Sequence, residues 1–275
     1  MKNLKTQSPS FRFLTALLFA VFLMPNANAQ FLKKLKKRVE QKVENAVIEK
    51  TANKAAEKAT NSMDKMFDVS PFGGGKEKAD PSLVGDTYDF TWKYSLKMST
   101  KDGEIVFDYY LKPEASYFGF TSAAMENMFT VMDNDSQIMA MFMKSEKNNV
   151  GMVTKMPDIS DLEEAKDESA KFTFEALPEK TINGYRCKGV KATSEDYEMV
   201  MYFTNEAEVS FDDIYKNSKT KIPVQLKDYF NPDDKVLMIS MDMTDLKKPK
   251  QSAKMECVGL EKVSKTIQKS DYKFM

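Results

Sequence analysis

Histidine is absent from the 275 residues, and that absence removes whole classes of chemistry. Without an imidazole there is no Ser-His-Asp or Cys-His nucleophile activation, no His-ligated zinc or haem, and no histidine pH switch. Cysteine occurs only twice and tryptophan once. Neither sign of charge is in excess: 41 Lys+Arg stand against 41 Asp+Glu. A nucleic-acid binder normally carries a basic surplus, so that class is set aside. No P-loop and no GxSxG motif occurs. What remains, 42% hydrophobic and 30% charged, is the composition of an ordinary globular chain.

The N-terminus reads as an address. Lys2, Lys5 and Arg12 form a basic start without an acidic residue, and Phe13–Met24 is an apolar run of twelve. That is short of the roughly 20 residues a membrane helix needs. Pro25 breaks the run, and Ala27-Asn28-Ala29 before Gln30 is the small-x-small pattern of a cleavage site. Residues 1–29 are therefore expected to be a secretory signal peptide, cleaved between Ala29 and Gln30. No Cys follows the cleavage site to carry a lipoprotein anchor, and no second apolar run approaches spanning length. The mature protein is expected in the periplasm or outside the cell, with any peripheral contact with the outer membrane resting on the segment that follows.

Residues 30–68 hold ten basic and six acidic side chains and no Gly or Pro. Leu32, Leu35, Val39, Val43 and Ala46 recur at helical spacing, and Ile48, Ala52, Ala55, Ala59, Met63 and Met66 continue on a shifted stripe. The pattern predicts a basic amphipathic helix whose second half, mostly Ala, buries little. Its start, with five basic residues among 33–38 beside Phe31, Leu32 and Leu35, suits an anionic membrane surface, an envelope protein partner or a solvated spacer. Residues 69–85, with Gly73–Gly75, Pro71 and Pro81, read as a flexible linker.

From residue 86 to 275 the period changes to two. Tyr88, Phe90, Trp92, Tyr94, Leu96 and Met98 alternate with polar residues, the strongest strand signal in the chain. Ile105, Phe107, Tyr109 and Leu111 return after an Asp-Gly turn. Further strands are expected at 116–121, 128–132, 137–144, 150–156, 171–176, 185–193, 198–204, 235–244, 252–263 and 272–274, with an acidic loop or short helix at 158–169 and a short helix at 211–219. This predicts a mainly β fold, a curled antiparallel sheet or half-open barrel of about ten strands. Several strands are apolar on both sides: Ile138, Ala140 and Phe142 oppose Met139, Met141 and Met143. Such a strand must be covered twice, so either the sheet folds onto itself or its concave side encloses an apolar cavity.

Eighteen methionines remain after signal removal, most on expected strands. Met fills irregular cores and also suits adaptable apolar binding surfaces. The Met139-x-Met141-x-Met143 spacing is compatible with thioether copper(I) ligation, but strand alternation alone produces it. Cys187 and Cys257 fall on separate strands; a disulfide and two buried thiols both stand open. The acidic pairs Glu163-Glu164, Asp212-Asp213 and Asp233-Asp234 lie in polar stretches, so a two-carboxylate hydrolase has no opposed pair legible in sequence. Asp133-x-Asp135 lacks the Gly a calcium loop needs, with Ile138 in its place.

Ile182-Asn183-Gly184-Tyr185-Arg186-Cys187-Lys188, followed by a turn and a second strand, resembles a motif of a domain-of-unknown-function family found in secreted envelope proteins of Bacteroidota-type bacteria. The Lys/Glu/Ala-rich helix, the Gly-rich linker and a hairpin like 137–156 are similar to that family too. In place of a W-x-T pattern the chain has Tyr202-Phe203-Thr204, which leaves that Trp's role unassigned here. The family in turn resembles, remotely, the LolA/LolB lipoprotein-carrier superfamily. That resemblance implies an incomplete antiparallel barrel holding acyl chains on its concave face, with no catalytic residue to carry over.

The expectation is a non-enzymatic protein without cofactor or metal, binding a lipid or other apolar ligand. Its lining is expected among Trp92, Tyr94, Phe107, Tyr109, Met139, Met141, Met143, Met199 and Met201. The alternative is a structural or docking module of the envelope, acting through residues 31–68.

Overall fold

The alternation that opens at Tyr88 becomes a long strand, β1 (Thr87–Thr100), paired with a returning β2 (Gly103–Leu111). In the computed structural model, residues 77–274 are described, apart from 102, 124–126, 146–147, 157–171 and 212–234. The expected signal peptide, the basic helix, most of the linker, the acidic stretch 158–169 and nearly all of the short helix 211–219 lie outside the described residues.

Short strands follow as a meander: β3 (Tyr117–Ser122), β4 (Met128–Asp133), β5 (Ile138–Met143) and β6 (Val150–Lys155). A second group comprises β7 (Thr173–Ile182), β8 (Tyr185–Thr193) and β9 (Tyr197–Thr204). The chain ends with β10 (Leu237–Asp245), β11 (Ala253–Gln268) and the two-residue β12 (Lys273–Phe274). All twelve share one sheet in the order β12-β6-β5-β4-β3-β2-β1-β11-β10-β9-β8-β7. Every ladder is antiparallel except β12 with β6, which is parallel, a departure from the purely antiparallel expectation. Among the described residues no ladder joins β7 to β12, so the sheet is not closed into a barrel.

β1 is where the sheet bends. Strict alternation would put Tyr88 and Phe90 on the same side as Tyr94. The β1–β11 register instead shifts between Phe90 and Trp92, with Val263 and Ser264 of β11 standing opposite Thr91 alone. A bulge of this kind kinks the pair and raises its twist. β2 pairs with β1 only from Trp92 onward, so the Thr87–Phe90 end runs on beside β11 without it. This ribbon folds over the opposite face of β3–β5: Phe90 packs edge-on against Tyr110, Tyr117 and Phe129, and Tyr88 against Tyr117 and Phe142.

Two cores result. One contains Tyr88, Phe90, Phe129, Val131, Ile138, Ala140, Phe142 and Val153 under the folded ribbon, sealed by Tyr272 and Phe274. The other, larger one contains Tyr94, Phe107, Phe118, Phe120, Met139 and Met141 and continues across β8–β11. Ile138, Ala140 and Phe142 thus face one core, and Met139, Met141 and Met143 the other. On the first face, the sheet folding onto itself supplies the cover.

Close backbone approach makes that first core possible. A Cβ on Gly119 would stand 2.3 Å from Phe129 Cζ and 3.0 Å from Phe90 Cζ, so only glycine admits the two rings there. The segment expected as linker is part of this body from Glu77 onward. Lys155 N donates to Glu77 O at 2.9 Å, Ala79 N donates to Val153 O at 3.2 Å, and Val84 is buried in the first core. Pairing with β6 satisfies backbone groups that a flexible linker would leave to water.

Candidate functional site

Register turns the larger core into an ordered surface. Across β1–β6 one row reads Tyr94, Tyr109, Phe120, Thr130, Met141 and Met152, each directly opposite the next. On one side of it, Trp92 faces Leu111, while Phe118, Met132, Met139 and Thr154 continue across the later strands. On the other side, Leu96, Phe107 and Ser122 are opposed in turn, as are Met128, Met143 and Val150. The β1–β3 end of this face is therefore aromatic, and the β4–β6 end is rich in methionine. A second stripe crosses the other wing: Ile105, Met98, Met255, Met241, Met201 and Val190 lie in register on β2, β1, β11, β10, β9 and β8.

All nine residues singled out from sequence belong to this one cluster or pack against it. Seven sit on the β1–β6 wing; Met199 and Met201 sit on β9, across β10 and β11. Sequence reasoning passed over Phe118, Phe120, Met132 and Met152, although the same period-two parity that selected Tyr109 and Met141 identifies them. It also passed over Met241 and Met255, which complete the thioether stripe. The Met139–Met141–Met143 set does share one face, as strand alternation requires.

Among the described residues, the segment 205–211 forms a strap over this face. Ala207, Val209 and Phe211 are buried in the cluster, while Glu206 and Glu208 alternate outward. Phe211 stands edge-on to Tyr94, Tyr109 and Phe118, with ring centroids 5.9, 5.5 and 5.8 Å away. Outward, Arg186 Nε lies 3.4 Å from Glu206 Oε1, and Lys262 Nζ lies 2.9 Å from Glu208 Oε2. Such exposed ion pairs contribute about 0–1 kcal/mol, so the apolar side supplies most of the hold. Tyr94 Oη donates to Met238 O at 2.8 Å, and full burial holds its hydroxyl well above the ordinary tyrosine range.

Beside this face, β10 and β11 pair over only four residues, Ser240–Met243 with Ala253–Glu256, and then part. The tip of the β7–β8 hairpin closes on the gap. Asn183 and Gly184 both have positive φ, 53° and 82°, as a two-residue hairpin turn requires. Asn183 Nδ2 donates to Cys257 O at 2.6 Å, replacing a strand neighbour. A cleft of about 520 Å³ remains here, between Tyr185, Ile239, Val258 and Leu260. Cys187 and Cys257 are both buried free thiols, donating to Tyr185 O and Gly259 O, and burial raises both above the ordinary thiol range. A raised thiol is a poor nucleophile at neutral pH.

Lys262 Nζ stands 5.2 Å from the centroid of the Trp92 ring, while other charged pairs lie on the outside of the sheet. Lys93 pairs with Glu261, and Lys97 with Glu256, across the outside of β1 and β11. Lys265 sits over the rings of Tyr110 and Phe129, at 5.0 and 4.6 Å, and burial followed by the nearby Lys144 lowers its ammonium from the ordinary lysine range. Among the described residues no three His, Cys, Asp or Glu side chains are grouped to hold a metal ion. Among the same residues no helix is long and apolar enough to cross a membrane.

A family model described as a domain of unknown function (DUF4412) matches residues 90–227. No curated protein matches the chain. Among solved structures the chain is similar to PNGF-II, at 11% identity and TM-score 0.34, covering 67% of this chain and 30% of that one. It is similar to the Pseudomonas aeruginosa MucA/MucB complex at 7% identity and TM-score 0.38, covering 66% of this chain and 54% of that one. It is also similar to the LolA superfamily protein NE2245 from Nitrosomonas europaea, at 8% identity and TM-score 0.22, covering 66% of this chain and 89% of that one. The chain thus spans under a third of PNGF-II and about half of the MucA/MucB chain.

Proposed function

The chain belongs to the DUF4412 family of domains of unknown function, and from that starting point we propose that it is a non-enzymatic periplasmic protein binding a lipid or acyl chain on the inner face of its curled sheet. The observation that carries this reading is the ordered apolar face of β1–β6, aromatic at one end and methionine-rich at the other, with the strap 205–211 packed on it. Methionine adapts its shape to an apolar guest without a fixed rotamer, and aromatic rings offer flat walls to a chain. Ala207, Val209 and Phe211 already occupy part of the face, so the ligand enters by taking their place. The expected signal peptide supplies the periplasmic location.

Native mass spectrometry of mature protein taken gently from the envelope, with organic extraction of what travels with it, tests the reading. A stoichiometric lipid mass is expected. A clean apo mass that stays unchanged after incubation with envelope lipids sinks the proposal. Met141→Glu, at the centre of the face, is expected to abolish lipid binding while circular dichroism still reports a folded sheet. Equal loss of fold and ligand assigns the methionines to plain core packing instead.

A further inference from the structure

Three hydroxyl side chains stand on this apolar face, Thr130 in its central row and Ser122 and Thr154 on either side of that row. Ser122 is 4% exposed and Thr154 3% exposed, and neither hydroxyl oxygen has a hydrogen-bond partner. Both point to the larger core. Ser122 stands opposite Phe107 on β2, and Thr154 opposite Met139 on β5, and Phe107 and Met139 both belong to that core. Their strand neighbours agree: Gly119 lies under Phe129 and Gly151 under Phe274, which places the alternate positions 118, 120, 122 and 152, 154 on the inner side. A third buried oxygen without a hydrogen bond, Asp196 Oδ1, is ion-paired to Lys247 and needs no other partner.

Buried hydroxyls are nearly always hydrogen-bonded, and an unpaired one weakens the fold that contains it. An orphan hydroxyl on a face made mostly of aromatic, thioether and aliphatic side chains is well explained if the missing partner arrives with the ligand. We infer that Ser122 and Thr154 are hydrogen-bond donors to ligand oxygens, and that the bound molecule is an acyl ester rather than a plain hydrocarbon. This rests on the apolar-ligand reading above and narrows its substrate class. The two hydroxyls are three strands and four residues apart, about 19 Å along the sheet surface. One ester group therefore reaches one hydroxyl, and a lipid with several acyl esters can engage both.

The test uses the chain's only tryptophan, Trp92, which packs against the same core and reports occupancy by its fluorescence. Mature protein and the double variant Ser122→Ala/Thr154→Val are titrated with monolauroylglycerol and, separately, with dodecane. The double variant is expected to bind monolauroylglycerol about three- to tenfold more weakly, the worth of one neutral hydrogen bond. Dodecane binding is expected to be unchanged, and the thermal midpoint of the unliganded variant equal or higher. Equal affinity of the two proteins for monolauroylglycerol overturns the inference and leaves the carrier reading standing. A lowered midpoint overturns it too, because the hydroxyls would then serve the fold. Failure of the unaltered protein to bind either compound removes the carrier reading and this inference with it.

Discussion

Tyr88 and Tyr94 pin β1 from opposite sides of its bend. Tyr88 Oη donates to Asp133 Oδ2 at 3.0 Å and accepts from Gly85 N at 2.9 Å, while Tyr94 Oη reaches Met238 O at 2.8 Å. Asp133 also accepts from the backbone of Asp135 and Ser136, so it anchors the β4–β5 turn as well as the ribbon. Replacing either tyrosine by Phe leaves a buried partner unpaired, at about 1–3 kcal/mol, measurable by urea unfolding. Burial raises both hydroxyls above their ordinary range, for Tyr88 with the Asp133 charge adding to it. In the unfolded chain they titrate near 10. The stability they carry is therefore fully present below about pH 10 and is lost as pH rises toward their folded values. Unfolding free energy between pH 8 and 11 is expected to fall less steeply for Tyr94→Phe than for the unaltered protein; identical slopes would show that other groups govern alkaline unfolding. At this scale the site was partly legible. Parity alone selected Trp92, Tyr94, Phe107 and Tyr109, whereas Ser122 and Thr154 read as ordinary strand residues. What distinguishes them is the absence of a partner, a property of their neighbours and not of the chain around them. Phe211 was read as the start of a helix because its acidic successors, Asp212 and Asp213, suit a helix N-terminus.

The β7–β8 hairpin shows how one element holds two others. Its turn needs positive φ at both central residues, and Asn supplies that together with an amide that reaches across to Cys257 O. Asn183→Ala loses both and is expected to cost about 1–3 kcal/mol by denaturant unfolding. Asn183→Gly keeps the backbone freedom and loses only the amide, so it is expected to cost less; equal costs would mean that the positive φ contributes nothing and the amide carries the whole effect. The turn, and nearly every strand, was legible because alternation is a local signal. The failures mark places where the sheet departs from regularity. The expected strand spans 171–176, yet β7 continues past Pro178 through a register shift between Leu177 and Lys180. A proline is tolerated there because β7 is an edge strand whose outer side needs no donor. β11 was ended at Val263, where the bulge opposite Thr91 interrupts its pattern. That bulge is also why six alternating residues in β1 divide between two cores, which no period-two reading can show.

For the whole molecule, one face of the open sheet is sealed by its own ribbon, and on the proposed function the other is shared between the segment 205–211 and a guest. A ligand that binds only the folded form stabilises it by about 2.7 kcal/mol at a hundred times its Kd. For a domain of this size the thermal midpoint is expected to rise by about 5–10 °C on titration with envelope lipid. A midpoint independent of lipid concentration would show that the folded and unfolded chains do not differ in affinity. The open topology carries a second consequence. Among the described residues no further strand pairs with either end of the twelve-stranded sheet, and such edges in principle template stacking of one molecule on the next. Here one end is the two-residue β12, and the other is β7, largely solvent-exposed along its length and interrupted by Pro178. Pro178 lacks a backbone N–H, and the register shift beside it twists the strand away from flatness. Pro178 and the shift beside it thus make the long edge of the sheet a poor template for joining edge to edge into fibres.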